Sequence, residues 1–146
     1  MKQLNSVRLV LAGLVSAVIL YVFEGVTNAV ILAGPWKSWG LIADRVFVMP
    51  SPGASLMFWG LQALVAGLVA AFVYAAIRAW VGVNLRAAWL SAIVVWGVGW
   101  LGMTFDKMAM GLEPPILMYG NLLAALLGLL AGQIAASFIY GDRDEA

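Results

Sequence analysis

The sequence predicts an all-α integral membrane protein, an up-down bundle of four transmembrane helices with a short interfacial helix in the first outer loop. Three observations carry that prediction. The chain of 146 residues is 64% hydrophobic and only 10% charged, a balance far too apolar for a soluble domain of its size. Four apolar runs, at about 7–32, 54–78, 86–106 and 115–140, are each long enough to cross ~30 Å of hydrocarbon, which takes about 20 helical residues. The later connections are short, so successive helices run antiparallel. The runs occupy nearly all of residues 1–146, and a single transmembrane domain with no separate catalytic part is expected.

The first run begins behind a short polar start, Met1 to Ser6, with no small-residue cleavage site after it. It reads as a retained helix rather than a signal peptide. Glu24 and Asn28 lie one turn apart inside it, continuing the small-residue face of Gly13 and Ala17. Behind it, Pro35, Trp36 and Trp39 with apolar residues at helical spacing predict a helix over about 35–46, lying at headgroup level. Pro50, Pro52 and Gly53 then break the chain before the second span.

In lipid, helices associate through close packing of small residues, so such residues map contacts. The fourth run has them at strict fourfold spacing: Gly120, Ala124, Gly128, Gly132 and Ala136. The second offers Gly67, Ala71 and Ala75, and the third Ala88, Ala92, Gly99 and Gly102. The third also carries Trp89, Trp96 and Trp100 within one narrow stripe. That aromatic stripe is a contact surface, for packing or for a lipid, pigment or neighbouring subunit. Trp89 and Trp100 suit interfacial anchoring, whereas Trp96 is too central and its indole N–H needs a partner. A faint echo between Leu64–Arg78 and Leu129–Arg143 is compositional.

Basic residues near the helix ends divide unevenly. Lys2, Arg8, Arg78, Arg86 and Arg143 fall on one side, Lys37, Arg45 and Lys107 on the other, which favours both termini in the cytoplasm. Arg8, Arg78 and Arg86 read as snorkelling helix-end anchors, and Tyr74, Tyr119 and Tyr140 as belt residues.

Polar groups from all four helices converge on the outer half of the bundle: Glu24, Asn28, Gln62, Asp106, Lys107 and Asn121. By helical rise, Glu24, Gln62 and Asn121 lie at similar depths, about 13, 10 and 9 Å below the outer end. Three readings of Glu24 follow. It is helix glue, held by Asn28 and by Gln62, Asn121 or Lys107; or it exchanges protons or ions; or the cluster binds a small polar or cationic solute from outside.

With no cysteine and no histidine, thiol chemistry and the usual haem, zinc, copper and iron–sulfur ligands are missing, so no cofactor and no metal site is expected. A net charge of +1 gives no reason to expect nucleic acid. Bound lipid is compatible with every reading.

The run Phe23-Glu24-Gly25-Val26-Thr27-Asn28-Ala29-Val30-Ile31-Leu32, followed by a tryptophan-bearing loop, resembles the first-helix signature of a family of small four-helix bacterial inner-membrane proteins. Tyr74 to Arg78, Gly82 and Trp96 resemble that family's second and third helices. The chain has Arg78-Ala79-Trp80 where the family usually has Arg-Pro-Arg. The resemblance implies a bacterial inner membrane as the location and carries no activity with it.

The function these features favour is non-enzymatic: association through helix faces, as accessory subunit of a larger membrane complex or as a homo-oligomer. The competing expectation is a small proton-coupled carrier or channel for a small solute, centred on Glu24.

Overall fold

The computed structural model describes residues 5–45, 51–82 and 85–140. Four helices in it are long and apolar enough to cross a membrane, Ser6–Ile31, Pro52–Val81, Leu85–Met110 and Pro115–Tyr140, and a short helix, Ala33–Ala43, follows the first of them. The fold is all-α, four spans and one short helix, as the sequence predicts. We number the spans one to four. Lys2, Pro50 and Arg143 lie outside the described residues, as does Val46, the expected end of the short helix.

The ends differ from the expected bounds for local reasons. Ser51 accepts a 3.3 Å hydrogen bond from the Ala54 amide and Pro52 fills the first helical turn, so the second span starts at Pro52; Pro there removes a donor that would be unpaired anyway. It ends at Val81, where Gly82 turns the chain at φ 83°. The third span continues past 106 to Met110 and stops in a Schellman motif: Leu112 N donates to Lys107 O at 3.0 Å and Gly111 N to Met108 O at 3.2 Å. Gly111 holds the left-handed conformation, φ 62°, that such a stop requires.

Successive spans pack side by side and the fourth closes against the first. The first and third therefore face each other across the diagonal. The core is alanine-rich: Ala12, Ala70, Ala88, Ala92 and Ala125 are buried, while Val98, Phe138 and Trp80 are largely exposed. This is the arrangement a bilayer rewards, since lipid tails cover large apolar side chains and only small ones let backbones meet.

The small faces meet inside the chain. A Cβ on Gly67 would come within 2.5 Å of Ala17 N and Gly13 O, and one on Gly132 within 2.9 Å of Ser16 O. Gly128 faces Leu20 and Phe23, and Gly120 faces the Leu32 side chain. The stripe of the fourth span thus packs on the first span of the same molecule. Gly102, expected on the small face of the third span, is exposed instead.

The reason is a π-helical turn, Gly97–Leu101, inside the third span. Its wider winding shifts everything after it relative to a regular helix, and Gly97 and Gly99 make the backbone locally permissive. The first span carries a matching turn, Thr27–Ile31, closed by Leu32 N donating to Thr27 O at 2.8 Å. Both irregular turns sit at the end of the bundle formed by Ile31, Met110 and Pro115, called here the cavity end; Ser6, Val81 and Tyr140 mark the terminal end.

Two aromatic assignments and one basic one change. Tyr74 and Tyr140 are buried rather than belt residues; their rings meet edge to face at 6.2 Å. Arg78 is half-buried rather than a free anchor. It donates to Tyr140 O at 3.3 Å and lies 4.4 Å from that ring's centroid, an attraction of a cation for the π face.

A candidate binding site at the cavity end

Glu24 is half-buried in the last regular turn of the first span. Trp100, across the diagonal, donates its indole Nε1–H to Glu24 Oε1 at 2.8 Å. The π-helical turn of the third span is what aims it there: Trp100 is 8% exposed, whereas Trp89 is 53% exposed, so the aromatic stripe expected from the sequence is split. Trp96, the middle member, donates Nε1–H to Leu122 O at 2.8 Å, binding the third span to the fourth. Trp100 is a site residue rather than an interfacial anchor.

Asn28 does not touch the Glu24 carboxylate. Its side-chain amide donates to the Glu24 backbone carbonyl at 2.8 Å, and its Oδ1 accepts from Trp36 Nε1–H at 2.6 Å. A side chain that takes a carbonyl one turn back competes with the backbone ladder, and the first span loosens into its π-helical turn at that point. The bond from Trp36 ties the short helix to the rim of the site. Trp36 in turn meets Trp39 edge to face at 5.6 Å.

These groups border a cavity of about 140 Å³. Glu24, Asn28, Gln62, Lys107 and Asn121, all proposed from sequence, line it together with Trp36, Trp59 and Trp100. Thr104, Met103, Met118 and Glu113 complete the wall. Asp106 does not belong: it is exposed and absent from the lining, because the shifted phase of the third span presents Lys107 to the cavity instead.

Lys107 is not the partner of Glu24. It is paired with Glu113 at 2.7 Å, six residues on, where the Schellman stop folds the chain back. Among the described residues this is the one ion pair. Glu113 Oε2 is buried with no hydrogen-bond partner, and Glu24 Oε2 has none among the described residues. Two carboxylates and one ammonium therefore share the cavity, and Glu24 faces it without a cation of its own. An indole bond to a charged acceptor is worth about 1.5–3 kcal/mol, comparable with the roughly 2.5–3.5 kcal/mol cost of placing a charge in the bilayer on insertion scales. Trp100 thus holds the carboxylate in place and occupies one of its two oxygens.

Glu113 and Trp59 were not singled out from sequence, and Trp36 was read only as a headgroup-level residue of the short helix. Glu113 lies in a connection, where periodicity carries no signal, and the Lys107…Glu113 spacing around Gly111 was the available hint; Trp59 lies inside the second span, where nothing in its apolar surroundings marks it as facing a cavity. The terminal end holds a second polar group that sequence reasoning also passed over. Gln133 donates Nε2–H to Ser16 Oγ at 2.9 Å, and Ser91 Oγ lies 3.0 Å from Gln133 Oε1 and 2.8 Å from Ala88 O. All three side chains are fully buried.

Comparison with known proteins finds no match, whether to a family model, a curated protein or a solved structure. What is shown is a small all-helical protein with four hydrophobic helices able to span a membrane; the four-helix family resemblance stands on its residues alone.

Proposed function

We infer that this protein is a non-enzymatic membrane protein that binds a small cationic solute at the cavity end, with Glu24 as the counter-charge, as the solute site of a small carrier. The observation that carries this reading is the missing partner: Glu24 lines a cavity, and the cavity's only basic residue among those described is already paired with Glu113. Aromatic walls from Trp36, Trp59 and Trp100 suit a cation, which is drawn to the face of an indole ring. A cation entering beside Glu24 removes the cost of an unneutralised carboxylate, and proton exchange at the same group would couple binding to a proton.

We favour the carrier reading over association as accessory subunit or homo-oligomer on packing grounds. The small faces of the first, second and fourth spans are occupied by contacts within one chain, so an accessory subunit or homo-oligomer would have to use the outer surface of the bundle, where Gly102 of the third span is exposed. Location in a bacterial inner membrane, with both termini cytoplasmic and the cavity opening outward, follows from the distribution of basic residues and the family resemblance, and belongs to this proposal.

The test is binding of ethylammonium and butylammonium to the purified protein in phosphatidylcholine nanodiscs by calorimetry, followed by uptake in proteoliposomes. Glu24→Gln should weaken binding by about tenfold or more, the loss of roughly 1.4 kcal/mol, and abolish uptake. Binding that is indifferent to this change would remove Glu24 from the mechanism.

A further inference from the structure

A second concavity adjoins the first. An almost wholly apolar groove of about 700 Å³ runs between the second and third spans, walled by Val65 and Val69 on one side and by Val94 and Val98 on the other. Its upper wall is formed by Gln62, Trp100 and Met103, which also line the Glu24 cavity. Val65 and Val98 are exposed, so the groove lies open along the face that a bilayer would cover.

We propose that the ligand of the Glu24 cavity is an amphiphile, a protonated amine bearing one hydrocarbon chain, with the amine beside Glu24 and the chain in the groove between the second and third spans. The proposal deepens the cation reading above and rests on it. Two independent features select this occupant. The unneutralised carboxylate calls for a cationic head, and Trp100 and Gln62, common to both walls, place the groove directly beneath it. A ligand entering by this route arrives from the membrane, where its chain already resides, and needs only a short lateral step to seat its head. The π-helical turn at Gly97–Leu101 lies on that path, and a locally unwound turn is where a span most readily yields.

The test uses the full chain in phosphatidylcholine nanodiscs, with dodecylammonium, butylammonium and dodecanol as probes, affinities being compared at equal mole fraction in the membrane. The groove is narrowed by Val65→Phe and, separately, by Val98→Phe. Both positions are exposed on the bundle surface, so folding should be preserved. Either change should weaken dodecylammonium by about tenfold while leaving butylammonium unaltered, and dodecanol should bind about tenfold more weakly than dodecylammonium. Dodecylammonium binding unmoved by both groove variants, with Glu24→Gln still abolishing it, overturns the amphiphile and leaves the cation reading intact. Dodecanol binding as tightly as dodecylammonium overturns the cationic head. Binding of neither amine overturns both readings together.

Discussion

The two ends of the bundle each bury a polar cluster, and they treat it in opposite ways. At the terminal end, Ser16, Ser91 and Gln133 are neutral, fully enclosed and bonded to one another, beside the closest backbone approaches among the described glycines, at Gly13, Gly67 and Gly132. At the cavity end a carboxylate is held by one indole, the helices loosen into two π-helical turns, and space remains. Neutral groups that satisfy each other serve as glue, because nothing is left to bind. A half-buried carboxyl with one oxygen bonded and no cation beside it, lining a cavity, is an incomplete site. Burial alone does not distinguish a polar residue that holds helices together from one that waits for a ligand; completeness of its partners does.

The sharpest way to break this contrast is through glycine. Gly67→Leu would drive a side chain into the backbone of the first span and should cost at least about 3 kcal/mol, beyond the usual overpacking range, seen as loss of the folded form in detergent. Gly60→Ala, with only Tyr21 at 3.8 Å, should be nearly silent. Equal effects would mean that the two ends are packed alike.

Next in size, Glu24→Gln should reduce amine binding by about tenfold or more with melting temperature unchanged or raised, since no salt bridge is lost and the amide oxygen can still accept from Trp100. A marked drop in melting temperature would make Glu24 glue after all. Gln133→Leu should behave inversely. Hydrogen bonds between membrane helices average about 0.6 kcal/mol and reach about 1.7, so losing the Ser16 and Ser91 partners should cost about 1 kcal/mol and leave amine binding untouched.

The smallest expected effect concerns the ion pair. Lys107 is 37% exposed, so solvent screening keeps its pairing with Glu113 to under about 1 kcal/mol of stability. Lys107→Met should therefore barely move the melting temperature, yet by releasing Glu113 it leaves the cavity more negative and should tighten amine binding several-fold. Weaker binding would show that Lys107 assists the ligand directly.

Most of the architecture was legible in the sequence, because hydrocarbon imposes length and apolarity on every span and penalises anything else. Asn28, Gln62 and Asn121 were legible for the same reason, each an exception in an apolar run. Asp106, Trp100, Tyr74 and Tyr140 were misjudged because helical phase was extrapolated through turns that do not keep it or because depth was counted without knowing which face turns inward. The Gln133 cluster escaped notice since a lone amide among alanines and leucines says nothing about the serines facing it from two other spans.

By itself, then, the sequence determined the four spans and the small-residue stripe of the fourth, properties that one helix in lipid expresses alone. Only the tertiary structure decided which groups meet: that Trp100 reaches Glu24 across the diagonal, that Lys107 is spent on Glu113, and that the small faces close on one another. Those outcomes turn on two π-helical turns and one Schellman stop. A single residue of helical phase rotates a side chain by about 100°, enough to move an indole from the lipid face to the site.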